Sequence, residues 1–315
     1  MEVALTLAER ARGLSTPNPN VGCVIVRGAQ VVGRGWTQPG GRPHAEATAL
    51  AEAGTAARDA TAYVTLEPCA HRGPRGPACA DLLVEAGVGR VVAAMIDPDP
   101  RTAGEGVKRL ERAGIAVTYG VRVVEAARAM AGFLARRRLG RPHVTLKLAT
   151  SLDGAIAMAG GGSRWITGDR ARAHAHVERA KADLIVAGAG TWSADRPRLD
   201  VRLDGLADRS PRRAILGRNP GDAGVVHLSE PEAVADDPAN WVLVEGGAGA
   251  AAAFLARDLV DRLLLYRAPI LIGGGRAAIG DIGLGELGAA HGRWLLLDSR
   301  MLGSDRLEVY ERARS

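Results

Sequence analysis

The chain of 315 residues is poor in aromatic residues and in long apolar runs, and each shortage excludes a class of protein. Aromatic residues make up 3% of it, too few for the stacking platforms that hold single-stranded nucleic acid. No run approaches the roughly 18 apolar residues that a membrane helix needs. The start, Met1-Glu2-Val3-Ala4, lacks the basic segment of a secretory signal. We therefore expect neither a membrane nor nucleic acid as a partner.

Cysteine is also scarce. Three cysteines leave no disulfide framework, which favours a reducing, cytoplasmic location. The length fits roughly two domains of about 150 residues each. The net charge of +6 suits anionic ligands such as small phosphorylated substrates, although an Arg-rich solvated surface explains the same charge.

The hydrophobic pattern predicts two α/β domains in tandem, because strand and helix patterns alternate in both halves. In the first half, the helix Ala4–Leu14 precedes two strands, and a helix opens at His44. A helix from about Val121 ends in the basic, Gly/Pro-terminated stretch 136–142, which we take as the boundary. The predicted domains are residues 1–140 and 141–315. The second half reads as strand 143–148, helix 169–181, strand 184–187, strand 241–244, helix 250–255 and strand 262–266.

The first half contains a candidate metal centre. His44, Cys69 and Cys79 are a suitable set of three protein ligands for a catalytic Zn²⁺, which keeps a fourth position open. Glu46, two residues after His44, is placed to shuttle protons rather than to bind metal. Zinc deaminases are a class with this His-x-Glu…Pro-Cys signature and a non-ligand Glu. The pattern predicts hydrolytic deamination.

Simpler interpretations exist for each part of this pattern. A single His-x-Glu is usually surface chemistry, and two cysteines ten residues apart are often merely buried. A structural zinc needs a fourth Cys or His, for which His71 is the credible competitor. Cys23 lies in an apolar strand and is expected in the core.

In the second half, small residues follow two strands. The stretch Leu184–Gly190 is read as an apolar strand ending in small residues, and Trp241–Val244 leads through a Gly-rich turn into a helix. Such a helix N-terminus suits phosphate. The run Gly247–Ala252 fits G-x-G-x-x-A, which alone is a weak signal, and tight packing explains any one of these turns.

The first half resembles the RibD family, the bifunctional pyrimidine deaminase/reductases of riboflavin biosynthesis. The resemblance rests on Asn18–Val26, His44-Ala45-Glu46 and Leu66–His71. It implies a cytidine-deaminase-like α/β/α domain in which His44, Cys69 and Cys79 hold zinc and Glu46 moves protons. It also implies that Asn18 touches the pyrimidine and that His71 lies in the loop that meets the substrate phosphate. The chain encloses nine residues between Cys69 and Cys79 where the family usually has eight, and Arg75 stands in for the usual Lys.

The resemblance continues through His143–Gly154 and Ser163–Gly168 into a dihydrofolate-reductase-like α/β domain that uses NADPH. By position it implies cofactor contacts at Ala149, Trp165, Thr191, Asp195, Gly247, Ala248, Gly249, Ala250, Ala251, Ala252 and Ala253. It implies substrate contacts at Ser163, Arg179, Leu199, Arg202 and Glu245, and Lys147 is a further polar candidate at a strand end. Arg196 stands where the family usually has a second Asp.

The implied function has two steps. The first is zinc-dependent hydrolytic deamination of 2,5-diamino-6-(5-phosphoribosylamino)pyrimidin-4(3H)-one. The second is NADPH reduction of the ribosyl group of 5-amino-6-(5-phosphoribosylamino)uracil to the ribityl chain. The resemblance also implies a homo-oligomer, a dimer or tetramer. Two rivals are a tRNA-editing type of deaminase and a non-catalytic, zinc-stabilised binding protein.

Overall fold

The computed structural model describes residues 1–71, 76–100, 102–163, 165–217 and 222–314. The chain divides into two compact units, Met1–Arg141 and Pro142–Ser315. Each unit is built on its own sheet and its own apolar core. No helix in these described ranges is both long and apolar enough to cross a membrane.

The first unit alternates helices and strands. Its elements are α1 (Glu2–Ala11), β1 (Gly22–Arg27), β2 (Gln30–Trp36), α2 (Ala45–Ala53), β3 (Thr61–Val64), α3 (Cys79–Glu85), β4 (Arg90–Ala93), α4 (Glu105–Arg112), β5 (Ala116–Tyr119), α5 (Val123–Ala129) and α6 (Ala131–Leu139). The strand order is β2-β1-β3-β4-β5. The pairs β1–β2 and β1–β3 are antiparallel, whereas β3–β4 and β4–β5 are parallel. The carboxyl ends of β3 and β4 therefore meet at one edge of the sheet.

Helix α2 lies directly on β2 because two strand residues have no side chain. A Cβ at Gly33 would lie 2.2 Å from the Ala49 carbonyl oxygen, and one at Gly35 would lie 2.0 Å from that of Ala45. The small residues of the helix, Ala45 and Ala49, are fully buried in this contact. The close approach fixes the N-terminus of α2, where His44 is the N-cap residue.

The second unit continues the α/β alternation and ends in a hairpin. Its elements are β6 (His143–Thr150), β7 (Ala155–Ala157), α7 (Asp169–Ala180), β8 (Leu184–Gly188), α8 (Ala189–Asp195), β9 (Arg212–Leu216), β10 (Val226–Leu228), β11 (Trp241–Val244), α9 (Ala248–Ala256), β12 (Arg262–Arg267), β13 (Arg276–Ala277), β14 (Trp294–Leu302) and β15 (Asp305–Arg312). The main sheet has the order β10-β9-β8-β11-β6-β12-β15-β14. The first six strands in this order, β10, β9, β8, β11, β6 and β12, run parallel to one another. Strands β15 and β14 then pair antiparallel at one edge. The carboxyl ends of β6, β8 and β11 thus open onto one side, where α/β sheets bind ligands.

Three sequence predictions need correction. The single helix expected from Val121 is two helices, because buried Met130 leaves helical geometry at φ −107° and ψ 19°. The strand expected to reach Gly190 ends at Gly188, and helix α8 begins at once. The first helix spans Glu2–Ala11, because the chain leaves helical geometry at Arg12 instead of continuing to Leu14. The hairpin β14–β15 is not predicted by the sequence analysis.

Candidate active sites

The three predicted metal ligands come from three separate elements and meet at one point. His44 caps α2, Cys69 follows β3, and Cys79 is the first residue of α3. The His44 Nδ1 atom lies 3.2 Å from the Cys79 Sγ atom and 3.6 Å from the Cys69 Sγ atom. The potential ligand atoms of all three residues lie within 4.8 Å of one another.

This donor set fits zinc. Tetrahedral Zn–N and Zn–S bonds of about 2.0 and 2.3 Å place nitrogen and sulfur about 3.6 Å apart, which is close to the two observed distances. Hydrogen bonds from the Cys79 thiol, and then from His44 and the Cys79 amide, lower the pKa of Cys69 to about 4, against the effect of burial. A thiolate is the form of cysteine that binds a metal.

Glu46 lies beside the ligands in the first turn of α2. Its side chain is 3% exposed. Burial raises the pKa of Glu46 to about 7, and Cys69 acts in the same direction, whereas His44 opposes it. The position fits a carboxyl that exchanges protons at a dry site.

The other residues predicted for this half lie at different places relative to the His44, Cys69 and Cys79 donor set. Asn18 donates from Nδ2 to the Gly41 carbonyl at 2.8 Å, and the same atom lies 3.3 Å from His44 Nε2. His71 lies outside the donor set, as its Nδ1 atom is 3.2 Å from Thr102 Oγ1. Cys23 is fully buried in the core, as expected. Arg75 lies outside the described residues.

Glu67 is a central residue that the sequence analysis missed. It is 2% exposed and lies three residues after the last residue of β3. Its two carboxylate oxygens accept four backbone N–H groups, from Asp97 at 3.2 Å, Gly104 at 3.0 Å, Gly106 at 2.9 Å and Val107 at 3.1 Å. These amides include the N-terminal ones of α4, which need acceptors and favour a negative charge. Glu67 therefore ties the metal-binding loop to the start of α4.

The metal ligands open into a cavity of about 180 Å³. Its wall includes Asn18, Glu46 and His71, and also charged residues that the sequence analysis did not single out: Arg42, Asp97, Asp99 and Arg137. Burial raises the pKa of Asp97 to about 6, with further contributions from Asp99 and Glu67. Asp97 and Asp99 follow the carboxyl end of β4, so a polar residue after a parallel strand was the available signal.

The second unit has a larger cavity of about 730 Å³, within the usual range of a ligand pocket. Among the predicted cofactor contacts, its wall includes Ala149, Thr191, Asp195 and residues 247–250. A smaller cavity of about 190 Å³ adjoins it and is lined by Trp165, Arg179 and Arg202. Lys147, Ala149 and Ser163 line both. Two ligands could therefore meet across these shared residues.

Two glycines on the wall of the larger cavity allow the backbone to pack closely against the start of helix α9. A Cβ at Gly246 would lie 2.4 Å from the Cβ of Ala250, and one at Gly188 would lie 3.2 Å from it. The Gly247 amide donates to Thr191 Oγ1 at 3.1 Å. Helix α9 begins at Ala248 and presents its free N–H groups here, as phosphate binding requires. A phosphate-bearing dinucleotide fits this arrangement.

A buried ion cluster lies where the two cavities meet. Glu245 accepts from Arg179 Nε at 2.7 Å and from Arg179 Nη2 at 2.8 Å, and Lys147 Nζ lies 3.6 Å from Glu245 Oε2. Burial would raise the pKa of Glu245, but Lys147 and Arg179 lower it to about 2. Arg179 also donates to the Asp200 carbonyl at 2.9 Å, so much of its guanidinium is engaged within the protein.

Some of the predicted contacts are not on these walls. Leu199 is 4% exposed and packs in an apolar cluster. Ala251 and Ala252 are buried within α9, and Ala253 lies further along that helix. The wall of the larger cavity ends at Ala250, and the wall of the smaller cavity includes no residue of α9. Arg196 pairs with Asp222 at 2.5 Å. Tyr266, which the sequence analysis missed, lines the smaller cavity, and its hydroxyl lies 2.7 Å from His174 Nδ1.

Two family models match the chain. Residues 1–95 match the cytidine and deoxycytidylate deaminase zinc-binding region, and residues 142–306 match the RibD C-terminal domain.

Several relatives match over most of their length. The riboflavin biosynthesis protein RibD of Escherichia coli (strain K12) is 41% identical, with 87% of this chain and 88% of the relative covered. The protein of the same name from Mycobacterium tuberculosis (strain ATCC 25618 / H37Rv) is 41% identical over 98% of this chain and 95% of its own.

Among solved structures, form 1 of Acinetobacter baumannii RibD has a TM-score of 0.87 and 39% identity over 99% and 98% of the two chains. A diaminohydroxyphosphoribosylaminopyrimidine deaminase/5-amino-6-(5-phosphoribosylamino)uracil reductase from Thermotoga maritima also has a TM-score of 0.87, at 29% identity over 99% and 97%.

Proposed function

The chain belongs to the RibD family of bifunctional deaminase/reductases in riboflavin biosynthesis, and we propose the substrate and the residues of each half-reaction. The first unit deaminates 2,5-diamino-6-(5-phosphoribosylamino)pyrimidin-4(3H)-one. The second reduces the ribosyl group of 5-amino-6-(5-phosphoribosylamino)uracil with NADPH. The observation that carries the proposal is one chain with a His/Cys/Cys donor set beside a buried glutamate in one unit and two adjoining cavities in the other.

In the deaminase cavity, His44, Cys69 and Cys79 hold zinc. Zinc, when bound there, makes a coordinated water easier to deprotonate. Glu46 accepts a proton on its carboxylate and returns it to the exocyclic nitrogen that leaves as ammonia. Asn18, fixed by its bond to Gly41, orients the pyrimidine, and His71 and Arg75 serve the phosphate end.

In the reductase cavities, residues 247–250 and the start of α9 bind the phosphates of NADPH. Ala149, Trp165, Thr191 and Asp195 contact other parts of the cofactor. NADPH, when bound, supplies the hydride. Lys147, which lines both cavities, and Glu245, which lines the larger one, orient the ribosyl group. Ser163, Arg179 and Arg202 bind the substrate. Leu199 and residues 251–253 pack behind these walls and hold the contacting residues in position.

We assign residues 1–140 to the deaminase domain and 141–315 to the reductase domain. We also propose a homo-oligomer in the cytoplasm. Edge strand β14 supports the oligomer, because it exposes large apolar side chains: Leu295 and Leu296 at 55% and Met301 at 61%. Two of the three cysteines form the donor set and all three are free thiols, which suits a reducing compartment.

A pair of variants tests the assignment of the two sites. We expect Glu46→Gln to abolish ammonia release but to keep NADPH oxidation when the deaminated intermediate is supplied. Glu245→Gln should show the opposite pattern, because Gln cannot satisfy both Arg179 and Lys147. If Glu46→Gln released ammonia at the wild-type rate, the deaminase assignment would be wrong. Ammonia release from an RNA substrate instead would favour the tRNA-editing alternative.

A further inference from the structure

The smaller cavity of the second unit has a strongly basic wall. The described part of this wall carries no carboxylate, whereas five of its side chains are basic: Lys147, Arg172, His176, Arg179 and Arg202. The larger cavity, which we assign to the cofactor, has Asp195 and Glu245 on its wall. A concave site lined by one sign of charge attracts the opposite charge. In a cavity of only about 190 Å³, a bound phosphate lies near several of these basic groups at once. The smaller cavity is therefore where the phosphate of the substrate fits.

Three of the five basic side chains are already engaged by acids of the protein. Arg179 and Lys147 share Glu245, as described above, and Arg172 pairs with Asp169. Donors held in these pairs are not free for a ligand. The remaining basic side chains on the described wall are those of residues 176 and 202, and these have N–H groups to offer.

The hydrogen bond that His176 makes fixes which of its ring nitrogens carries the proton. The Arg202 amide donates to His176 Nδ1 at 3.2 Å. Because a backbone amide only donates, Nδ1 is the acceptor and the neutral ring carries its proton on Nε2. The Nε2 atom forms no hydrogen bond with a described residue. Burial lowers the pKa of His176, and Arg179 and Arg202 act in the same direction against Glu245 and the Asp200 carbonyl. The ring is therefore neutral at pH 7, with the Nε2–H group as its donor.

We propose that His176 is a further substrate-binding residue of the reductase half: its Nε2–H group, together with the Arg202 guanidinium, donates to the phosphate of the substrate. The proposal rests on the reduction proposed above, and the sequence analysis did not single out His176. Arg202 contributes twice, because its amide holds the ring and its side chain lines the same cavity. That side chain is 50% exposed, with its Nε atom 3.5 Å from Asp200 Oδ1. A hydrogen bond to an ionised phosphate is roughly twice as strong as one between neutral groups, so its loss should weaken substrate binding.

The test measures kcat and KM for NADPH oxidation with the deaminated intermediate and with its dephosphorylated counterpart. His176→Leu removes both ring nitrogens, whereas His176→Gln keeps an acceptor and an N–H donor. His291→Leu is the matched control, at an exposed histidine of the same unit that is on neither described wall. We expect His176→Leu to raise the KM of the phosphorylated substrate about tenfold and that of the dephosphorylated one less than about twofold. His176→Gln should stay within about threefold of the wild type, and His291→Leu should match it.

Three results would overturn the proposal. One is an unchanged KM for the phosphorylated substrate in His176→Leu. Another is an equal rise of both KM values, which would mean that His176 only shapes the segment at Arg202. The third is His176→Gln as impaired as His176→Leu, which would show that the N–H donor is not what the phosphate needs. A wild-type KM for NADPH shows that the second unit of each variant is folded. An absence of NADPH oxidation by the wild-type enzyme with both substrates is a different failure, since it would refute the proposed reduction rather than the role of His176.

Discussion

Replacing Glu67 by Gln should destabilise the first unit strongly, although the two side chains have nearly the same size. The carboxylate accepts four backbone N–H groups, two on each oxygen. A Gln keeps one acceptor oxygen and turns an NH2 group towards the other two amides, so two charge-assisted bonds are lost. At about 1.5–3 kcal/mol each, the loss is roughly 3–6 kcal/mol. That is a large share of the about 5–15 kcal/mol that stabilises a typical domain.

Hydrogen exchange resolved by peptide is the appropriate assay, because it separates the two units and reports local opening. The free energy of opening of amides in β3 and α4 should fall by roughly 3–6 kcal/mol. The free energy of opening of amides in the second unit should stay unchanged. Glu105→Gln is the matched control, since Glu105 is an exposed acid in the first turn of α4 and pairs with Lys108. If Glu67→Gln exchanged like Glu105→Gln, Glu67 would not be the tie between the metal-binding loop and α4.

Three further predictions concern the metal site, the cofactor cavity and pH. Cys23→Ala should keep one zinc per chain by elemental analysis, because Cys23 is a core residue, and loss of zinc would contradict this. Gly246→Ala should raise the KM for NADPH, since overpacking against Ala250 costs about 1–3 kcal/mol, whereas exposed Gly288→Ala should not. Because the folded-state pKa of Glu245 is lowered to about 2, its ionisation stabilises the second unit above about pH 4.5, and this stability of about 3 kcal/mol is lost as the pH falls towards 2. The pH dependence of unfolding of the second unit between pH 5 and 3 should therefore be shallower in Glu245→Gln, and equal slopes would contradict this assignment.

The sequence was informative where chemistry depends on residue type at short spacing. His44, Cys69 and Cys79 could be predicted as a metal set because few other combinations provide zinc ligands, and Glu46 followed from its place beside His44. The helix that begins near Gly247 could be predicted because a Gly-rich turn after an apolar strand has a local signature. These predictions need no knowledge of how distant segments meet.

Other features depend on distant contacts that no local pattern reveals. Glu67 looks like a residue beside a metal ligand, and its role appears only when β3 is placed against the start of α4. Arg137 looks like one member of a solvated basic run until α6 places it beside Asp99. Hairpin β14–β15 was missed because apolar and polar residues do not alternate regularly along β14. This strand also exposes several apolar side chains, such as Leu296. Positions carried over by resemblance alone, such as Leu199, do not distinguish a residue on a cavity wall from one behind it.

The most direct test of the two-site account follows ammonia release and NADPH oxidation together in the purified, zinc-loaded wild-type enzyme, given the diamino-pyrimidinone ribosyl phosphate. We expect one ammonia and one oxidised NADPH per substrate, with ammonia released first. Ammonia should still appear when NADPH is omitted. Removal of zinc should stop both signals, and supplying the deaminated intermediate should then restore NADPH oxidation but not ammonia release. NADPH oxidation that precedes ammonia release, or that continues on the diamino substrate without zinc, would contradict the account.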